Sequence, residues 1–202
     1  MIKNKSDLKY YITEEKRVYG YPYHHSLKEY ITYRIFPNQN LQFICCLRHL
    51  EFLLNGGGGI FRKIKLFWYL YRYNRLRATT GIDVSPNCIG PGFHTPHGKV
   101  VINACAKIGA NCRFMSDVTI GAQGRYDTSG APQIGNRVYI GTGARVIGDI
   151  QIADDVVIGA NAVVTKDILE PGTTWAGIPA QKIADKGSNP FLRLPNEDTS
   201  NH

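Results

Sequence analysis

Aliphatic or aromatic residues recur every six residues through the second half of the 202-residue chain, and this period restricts the fold more than any other feature. A second small or apolar residue follows each of them four positions later, as Ala106 follows Ile102. An α-helix repeats every 3.6 residues and a half-buried strand every two, so neither explains the period. A unit made of one short strand and a turn explains the six-residue period. Three such units make one triangular coil of a solenoid with a filled interior. The ten first-position residues are Ile102, Ile108, Phe114, Ile120, Ile134, Ile140, Val146, Ile152, Ile158 and Val164.

The repeat is interrupted once, between Ile120 and Ile134, which are 14 residues apart instead of six. About eight polar and glycine-rich residues therefore leave the coil between Gly121 and Gln133. Loops held on rigid scaffolds commonly carry binding and catalytic residues. We therefore expect this loop to contribute to function.

The chain upstream of the repeats has helical periodicity around residues 24–36, 40–54 and 60–77. We predict a helical region over residues 1–79 and the solenoid over 80–184. A flexible tail is expected over 185–202, because that segment is rich in Gly, Ser, Asn and Pro. Basic and aromatic residues are interspersed through 60–77. Such a helix either lies on a membrane surface or packs on the solenoid or a second protomer, and packing is the preferred interpretation.

The net charge of +8 is concentrated in residues 1–80, which hold 14 Lys/Arg against 5 Asp/Glu. We interpret this excess as a solvated face and expect no nucleic-acid partner. The N-terminus lacks the apolar core of a signal peptide, and charged residues interrupt every long apolar run, so a cytoplasmic protein is predicted. The five cysteines lack metal-ligand spacing, which predicts buried thiols in a reducing compartment and no metal site.

Three segments carry a resemblance to a known family: Gly81-Ile-Asp-Val-Ser-Pro86, His97-Gly-Lys-Val-Val-Ile-Asn103 and Ala176-Gly-Ile-Pro-Ala180. Over about residues 75–184 the chain resembles the serine acetyltransferase-type hexapeptide acyltransferases. The resemblance implies a mainly β fold, a single-stranded left-handed parallel β-helix behind an N-terminal α-helical region. It also implies a homotrimer whose sites form between adjacent solenoids, and acetyl-CoA as co-substrate.

The same resemblance suggests roles for particular residues. His97 matches the general base that removes the proton of the acceptor hydroxyl, and histidine titrates near neutral pH as that task requires. His94 lies nearby, and only the family match favours His97 over it. Asp83 matches a carboxylate that holds the imidazole tautomer or binds an acceptor hydroxyl. The positions that match the acetyl-CoA groove are Gly121, Ala122, Thr142 and Ala160, where small residues permit close approach.

Departures from the family pattern bear on the acceptor. Serine acetyltransferases place an aspartate before the base, where this chain has Pro96, and an Arg-His pair where it has Gly130 and Ala131. Losing that pair removes a clamp suited to an amino-acid carboxylate. We therefore expect a sugar hydroxyl as acceptor, as in the capsular and exopolysaccharide (colanic-acid-type) branch of polysaccharide biosynthesis. The alternatives are a serine O-acetyltransferase of cysteine biosynthesis and a non-catalytic scaffold.

Overall fold

The computed structural model describes residues 1–20, 38–124 and 130–194 of the chain. Helices α1 (Lys5–Val18), α2 (Gln39–Leu54) and α3 (Ile60–Thr80) precede the strands. A 3-10 turn, Asn189–Phe191, follows them. The strands are β1 Asp83–Val84, β2 Val101–Ile102, β3 Lys107–Ile108, β4 Arg113–Phe114, β5 Thr119–Gly121, β6 Gln133–Ile134, β7 Tyr139–Ile140, β8 Arg145–Ile147, β9 Gln151–Ile152, β10 Val157–Ile158, β11 Val163–Val164, β12 Thr174–Ala176 and β13 Gln181–Ala184.

Successive strands are distributed in turn over three sheets. The first sheet has the order β1-β2-β5-β8-β11, the second β3-β6-β9, and the third β4-β7-β10-β12-β13. All pairs are parallel except β12 with β13. Partners in the parallel pairs are 18 apart in sequence, as in Val101 with Thr119, or 26 apart where the pairing spans the interruption, as in Thr119 with Arg145; only β10 with β12 differs, at 17. The difference of eight confirms the length of the predicted excursion.

Both apolar series of the six-residue repeat point inward. All ten first-position residues are buried, with at most 5% of the side chain exposed. The residues four positions later are buried as well, from Ala106 through Ile168. Because a strand alternates its faces, one inward residue per short strand and a second at the corner suffice to fill the interior. The predicted repeat register is therefore confirmed.

The corners require a backbone conformation that L-residues seldom adopt. Asn87, Asn111 and Asn161 have φ of 66°, 55° and 56°, and Gly143 takes the equivalent place with φ of 75°. Asparagine and glycine tolerate this left-handed region, which explains why they recur three residues after the inward position. Arg137 occupies the same kind of corner with φ of 52°, a strained choice for a long side chain.

Helix α2 closes the open end of the first coil through a buried ionic network. Arg48 is fully buried and donates to the carbonyl oxygens of Ile89, at 2.9 Å, and Gly90, at 2.5 Å. It also forms ion pairs with Glu15 of α1 at 2.6 Å and with Glu51 at 3.1 Å. Helix α2 thus caps the solenoid, and α3 packs on the same core through Tyr73, as the preferred interpretation of the segment 60–77 predicted.

Two sequence expectations need correction. Helix α1 was not among the predicted segments, although Asn4 and Asp7 form a capping box at its start. The prediction of a flexible tail over 185–202 was also wrong for the described residues 185–194. Ser188 is buried there, and its amide donates to the Asp155 carboxylate at 2.9 Å. Phe191 stacks on Tyr139 with 4.6 Å between ring centroids. The predicted helix at 24–36 and residues 195–202 lie outside the described residues.

Candidate functional site

His97 lies on a corner of the first coil. The preceding His94 bridges to Arg113 in the third sheet, and Val101 begins β2 of the first sheet, so residues 95–100 form the turn between these sheets. His97 is exposed, and within the described residues its ring has no hydrogen-bond partner. The imidazole is therefore open to a substrate from outside the coil.

The same corner continues through the later coils as a straight edge. The amide of Gly143 donates to the Ser116 carbonyl at 3.0 Å, and that of Asn161 to the Thr142 carbonyl at 2.8 Å. We call the line of His97, Ser116, Thr142 and Ala160 the His97 edge. Adjacent strands lie about 4.8 Å apart, which puts Thr142 about 10 Å and Ala160 about 14 Å along the axis from the His97 coil.

The His97 edge is lined by small exposed residues. Thr142 and Ala160 are both exposed. A Cβ on Gly141 would come within 2.6 Å of the Ala160 amide nitrogen in the next coil, so only glycine permits this stacking. An extended ligand can therefore approach the backbone along the edge without meeting a bulky side chain.

Gly121 and Ala122 lie at a different corner. Gly121 ends β5 in register with Ile147, and its carbonyl accepts from the Gly148 amide at 2.9 Å. This is the opposite end of the first-sheet strands from Thr142 and Ala160. Within one chain, the four predicted groove residues therefore form two separate pairs. The two pairs would line one cleft only if each came from a different, neighbouring protomer.

Asp83 is engaged by a residue that sequence reasoning did not single out. Its carboxylate accepts from Arg77 of α3 at 2.5 Å, with 38% of Asp83 and 47% of Arg77 exposed. Within the described residues Asp83 makes no hydrogen bond to His97, so this chain alone does not show the predicted role in holding the imidazole tautomer. The pair lies in a shallow depression with Gly81 and Val101. Arg77 lies six positions from Asp83, across the end of α3, and no sequence pattern indicated this pairing.

His94 is a poor candidate for the base. Its ring is edge-on to Tyr19, with centroids 4.5 Å apart. Burial, together with the positive charges of Arg113 and Arg193, lowers the pKa of His94 to about 3. So weak a base accepts a hydroxyl proton inefficiently near neutral pH. The geometry therefore agrees with the preference for His97.

The turn that carries His97 is anchored from the helical region. The Tyr19 hydroxyl donates to the Thr95 carbonyl at 3.1 Å and accepts from the Thr95 amide at 3.2 Å. Asn40 of α2 donates to the same carbonyl at 3.0 Å. Burial raises the pKa of Tyr19 well above its usual value, so the hydroxyl stays protonated. Sequence reasoning missed Tyr19 and Asn40, since both lie far from the repeat and belong to no motif.

The end of the excursion is tucked onto the solenoid. A Cβ on Gly130 would lie 2.8 Å from the Asp149 Cβ, and Ala131 is 1% exposed. Neither position has room for the long side chain that would reach an acceptor. Any charged clamp for an acceptor must therefore come from elsewhere.

The described part of the chain shows neither a metal-ligand cluster nor a membrane-spanning helix. In residues 1–20, 38–124 and 130–194 there is no cluster of three His, Cys, Asp or Glu side chains able to hold a metal ion. The five cysteines are free thiols. Over the same ranges, none of the helices has the length and hydropathy needed to span a bilayer.

Comparison with known proteins identifies what the chain is similar to. The family model "Bacterial transferase hexapeptide (six repeats)" matches residues 131–166. A serine acetyltransferase of Helicobacter pylori is 43% identical over 109 residues, covering 53% of this chain and 63% of that protein. One of Mycobacterium tuberculosis is 38% identical over 116 residues, covering 56% of this chain and 50% of that protein. The chain thus spans less than two thirds of the length of these curated relatives.

Solved structures share the fold over most of the chain. A serine acetyltransferase of Brucella abortus superposes with a TM-score of 0.69 at 21% identity, covering 91% of this chain and 72% of that one. Isoform 3 from Entamoeba histolytica, solved in complex with cysteine, superposes with a TM-score of 0.60 at 29% identity, covering 81% and 56%. The Brucella abortus structure shows the shared fold alone, and the curated serine acetyltransferases named above support the predicted likeness to that kind of enzyme. They correct its finer assignment to the capsular and exopolysaccharide branch.

Proposed function

We propose that this protein is an acetyl-CoA-dependent O-acetyltransferase that acetylates the hydroxyl of serine, with His97 as its general base. The observation that carries the proposal is the His97 edge, where an exposed imidazole begins a line of small exposed residues that crosses successive coils. The relatives named above are serine acetyltransferases, which supports this acceptor over the sugar hydroxyl expected from the sequence.

The edge fits a long, narrow co-substrate. An acetyl-CoA arm laid along Thr142 and Ala160 would place its thioester toward the coil of His97, and its amides could pair with backbone groups at the corners. Bulky side chains are absent from these two positions, so the arm can approach closely.

The proposed reaction is a direct transfer. His97 takes the proton of the acceptor hydroxyl while the oxygen attacks the thioester carbonyl. The tetrahedral intermediate then expels the CoA thiolate, which receives the proton from His97. The acetyl group ends on the acceptor oxygen and free CoA is released, so the base returns to its starting state without a covalent acetyl-enzyme.

The Arg77–Asp83 pair supplies a site for an amino-acid acceptor. Serine carries a carboxylate and an ammonium group, and this pair places one cation and one anion side by side in an exposed depression. The depression adjoins the His97 turn, because the Lys99 amide donates to the Thr80 carbonyl at 3.2 Å. Arg77 would pair with the acceptor carboxylate, a role for which Gly130 and Ala131 have no charged side chain.

The assembly we propose is a trimer of left-handed parallel β-helices. Gly121 and Ala122 lie at a different corner from Thr142 and Ala160, so a cleft lined by all four needs two protomers. The handedness and the trimer are the arrangement that the family resemblance implies, and the three sheets, parallel except for β12 with β13, accommodate it.

An acceptor assay tests this function. Release of CoA from acetyl-CoA is measured with L-serine and with a panel of mono- and oligosaccharides at matched concentrations. Turnover with L-serine is expected, and Arg77→Gln should raise KM for serine while leaving KM for acetyl-CoA unchanged. Turnover with a saccharide but not with serine would overturn the proposed acceptor, and no turnover with any acceptor would favour a scaffold.

A further inference from the structure

Helix α3 has two apolar faces, and the described residues pack against only one of them. Leu66, Tyr69, Tyr73 and Leu76 pack against the core, and the Tyr73 hydroxyl donates to the Val84 carbonyl at 2.9 Å. The other face is a stripe of large apolar residues with helical spacing, which we call the α3 stripe: Ile60, Ile64, Phe67, Trp68 and Tyr71, with Phe61 beside it.

The residues of the α3 stripe are exposed from Ile60 to Tyr71, and no other described part of the chain covers them. Phe61 is 79% exposed, Phe67 77% and Ile60 68%. Exposed apolar groups of this size and continuity generally mark a surface that binds something. Capping of the solenoid does not use this face, since the capping contacts come from α2 and the opposite side of α3.

The charges on the helix indicate what binds there. α3 contains six basic residues and no Asp or Glu. With 100° per residue, Lys63 falls on one side of the stripe and Lys65 and Arg72 on the other. Lys63, Lys65 and Arg75 form no ion pair within the described residues. Long basic side chains at both edges of an apolar stripe can reach lipid headgroups while the apolar groups enter the acyl boundary.

We infer that the α3 stripe docks the protein on an anionic lipid surface, with the helix lying in the plane of the interface. A second copy of the chain paired stripe on stripe fits less well. A two-fold contact of stripe on stripe would bring the same cations together, and α3 offers no acidic group to compensate them. Residues 1–80 as a whole carry 14 Lys/Arg and 5 Asp/Glu, which favours the same anionic surface.

The test uses the full chain and vesicles of defined composition. Binding is measured by co-sedimentation with phosphatidylcholine vesicles that contain about one third phosphatidylglycerol, and with pure phosphatidylcholine vesicles. We expect binding to the anionic vesicles that weakens as salt is raised. Equal binding to both vesicles, or no binding to either, would overturn the inference.

Variants locate the binding surface. Phe61→Ser with Phe67→Ser should weaken vesicle binding at least tenfold, because two large apolar groups no longer leave water. Leu169→Ser with Ile183→Ser is the matched control, since these residues are 66% and 64% exposed on the later part of the solenoid. Lys63→Glu with Lys65→Glu should weaken binding more than Lys166→Glu with Lys186→Glu. Equal effects of stripe and control pairs would refute the assignment to α3.

Fluorescence gives a local readout. The chain has two tryptophans, Trp68 in the stripe and Trp175 in β12. In the variant Trp175→Phe, emission from Trp68 should shift to shorter wavelength on anionic vesicles and be quenched by brominated acyl chains. Unchanged Trp68 emission in vesicle-bound protein would contradict insertion of the stripe. A stripe variant that lowers the mass of the protein in lipid-free solution would instead assign the stripe to a second copy.

Discussion

Replacing Arg48 by Met tests how the helices are held on the solenoid. The side chain is fully buried and is shared by two carboxylates, Glu15 and Glu51, and by the carbonyl oxygens of Ile89 and Gly90. Methionine fills a similar volume but donates no hydrogen bond. The substitution therefore leaves two buried carboxylates without their cation and two carbonyls without a donor.

The expected loss of stability follows from that arrangement. Removing one partner of a buried ion pair costs about 3–5 kcal/mol, because the remaining charge is left uncompensated. That is a large share of the roughly 5–15 kcal/mol by which a folded protein is stable. Adding Glu15→Gln to Arg48→Met should recover part of the loss, since it removes one of the unpaired carboxylates.

Urea unfolding followed by far-ultraviolet circular dichroism measures these effects at one fixed protein concentration and at a pH above the Glu15 pKa of about 7, where this carboxylate is ionised. Arg75→Met is the matched control, because Arg75 is an exposed arginine of α3 and should change the unfolding free energy by less than about 0.5 kcal/mol. A loss below about 1 kcal/mol for Arg48→Met would refute the role assigned to the network.

Three further predictions concern the helical cap, the His97 turn and the His97 edge. Burial raises the pKa of Glu15 to about 7, so the folded state holds this proton where the unfolded chain has lost it. Stability should fall as pH rises from about 4.5 to about 7, and urea titrations at several pH values should show a flatter profile for Glu15→Gln. Tyr19→Phe leaves the buried Thr95 amide without a partner and should cost about 1–3 kcal/mol and lower kcat; an unchanged kcat would contradict the positioning role. Ala160→Trp should raise KM for acetyl-CoA at least tenfold while urea unfolding stays unchanged, and an unaltered KM would exclude the edge as the co-substrate groove.

The repeat half of the fold was predictable because the residues of each six-residue unit indicate the conformation of that unit. Inward residues such as Ile140 and Ile158 recur at a fixed spacing, and corner asparagines such as Asn111 carry the positive φ that the turn needs. The length of the excursion followed from the same count. These features depend on neighbours within a coil or in the next coil, so sequence spacing is enough to find them.

Contacts between distant segments could not be predicted in the same way. Tyr19 meets Thr95 across 76 positions, and Arg48 meets Gly90 across 42. The pairing of Asp83 with Arg77 depends on how α3 meets the first coil, which no local pattern encodes. Helix α1 has a clear capping box but few apolar residues, so its periodicity was too weak to reveal it.

The acceptor illustrates a limit of reasoning from missing residues. Gly130 and Ala131 predicted a site without a carboxylate clamp, and their close packing explains why no clamp stands there. The structure places Arg77 beside Asp83 instead, in an exposed depression next to the His97 turn. If the acceptor is serine, as we propose, the charge absent from Gly130 and Ala131 is supplied by a helix outside the motif.

Acetyl transfer by His97→Ala, compared with His94→Ala, tests the central claim most directly. Initial rates of CoA release from acetyl-CoA and L-serine should fall about 10²–10⁴-fold in His97→Ala, because general-base catalysis is lost. His94→Ala should retain proton transfer and lose activity only as far as packing on Tyr19 is disturbed. Full activity of His97→Ala, with the loss confined to His94→Ala, would contradict the account.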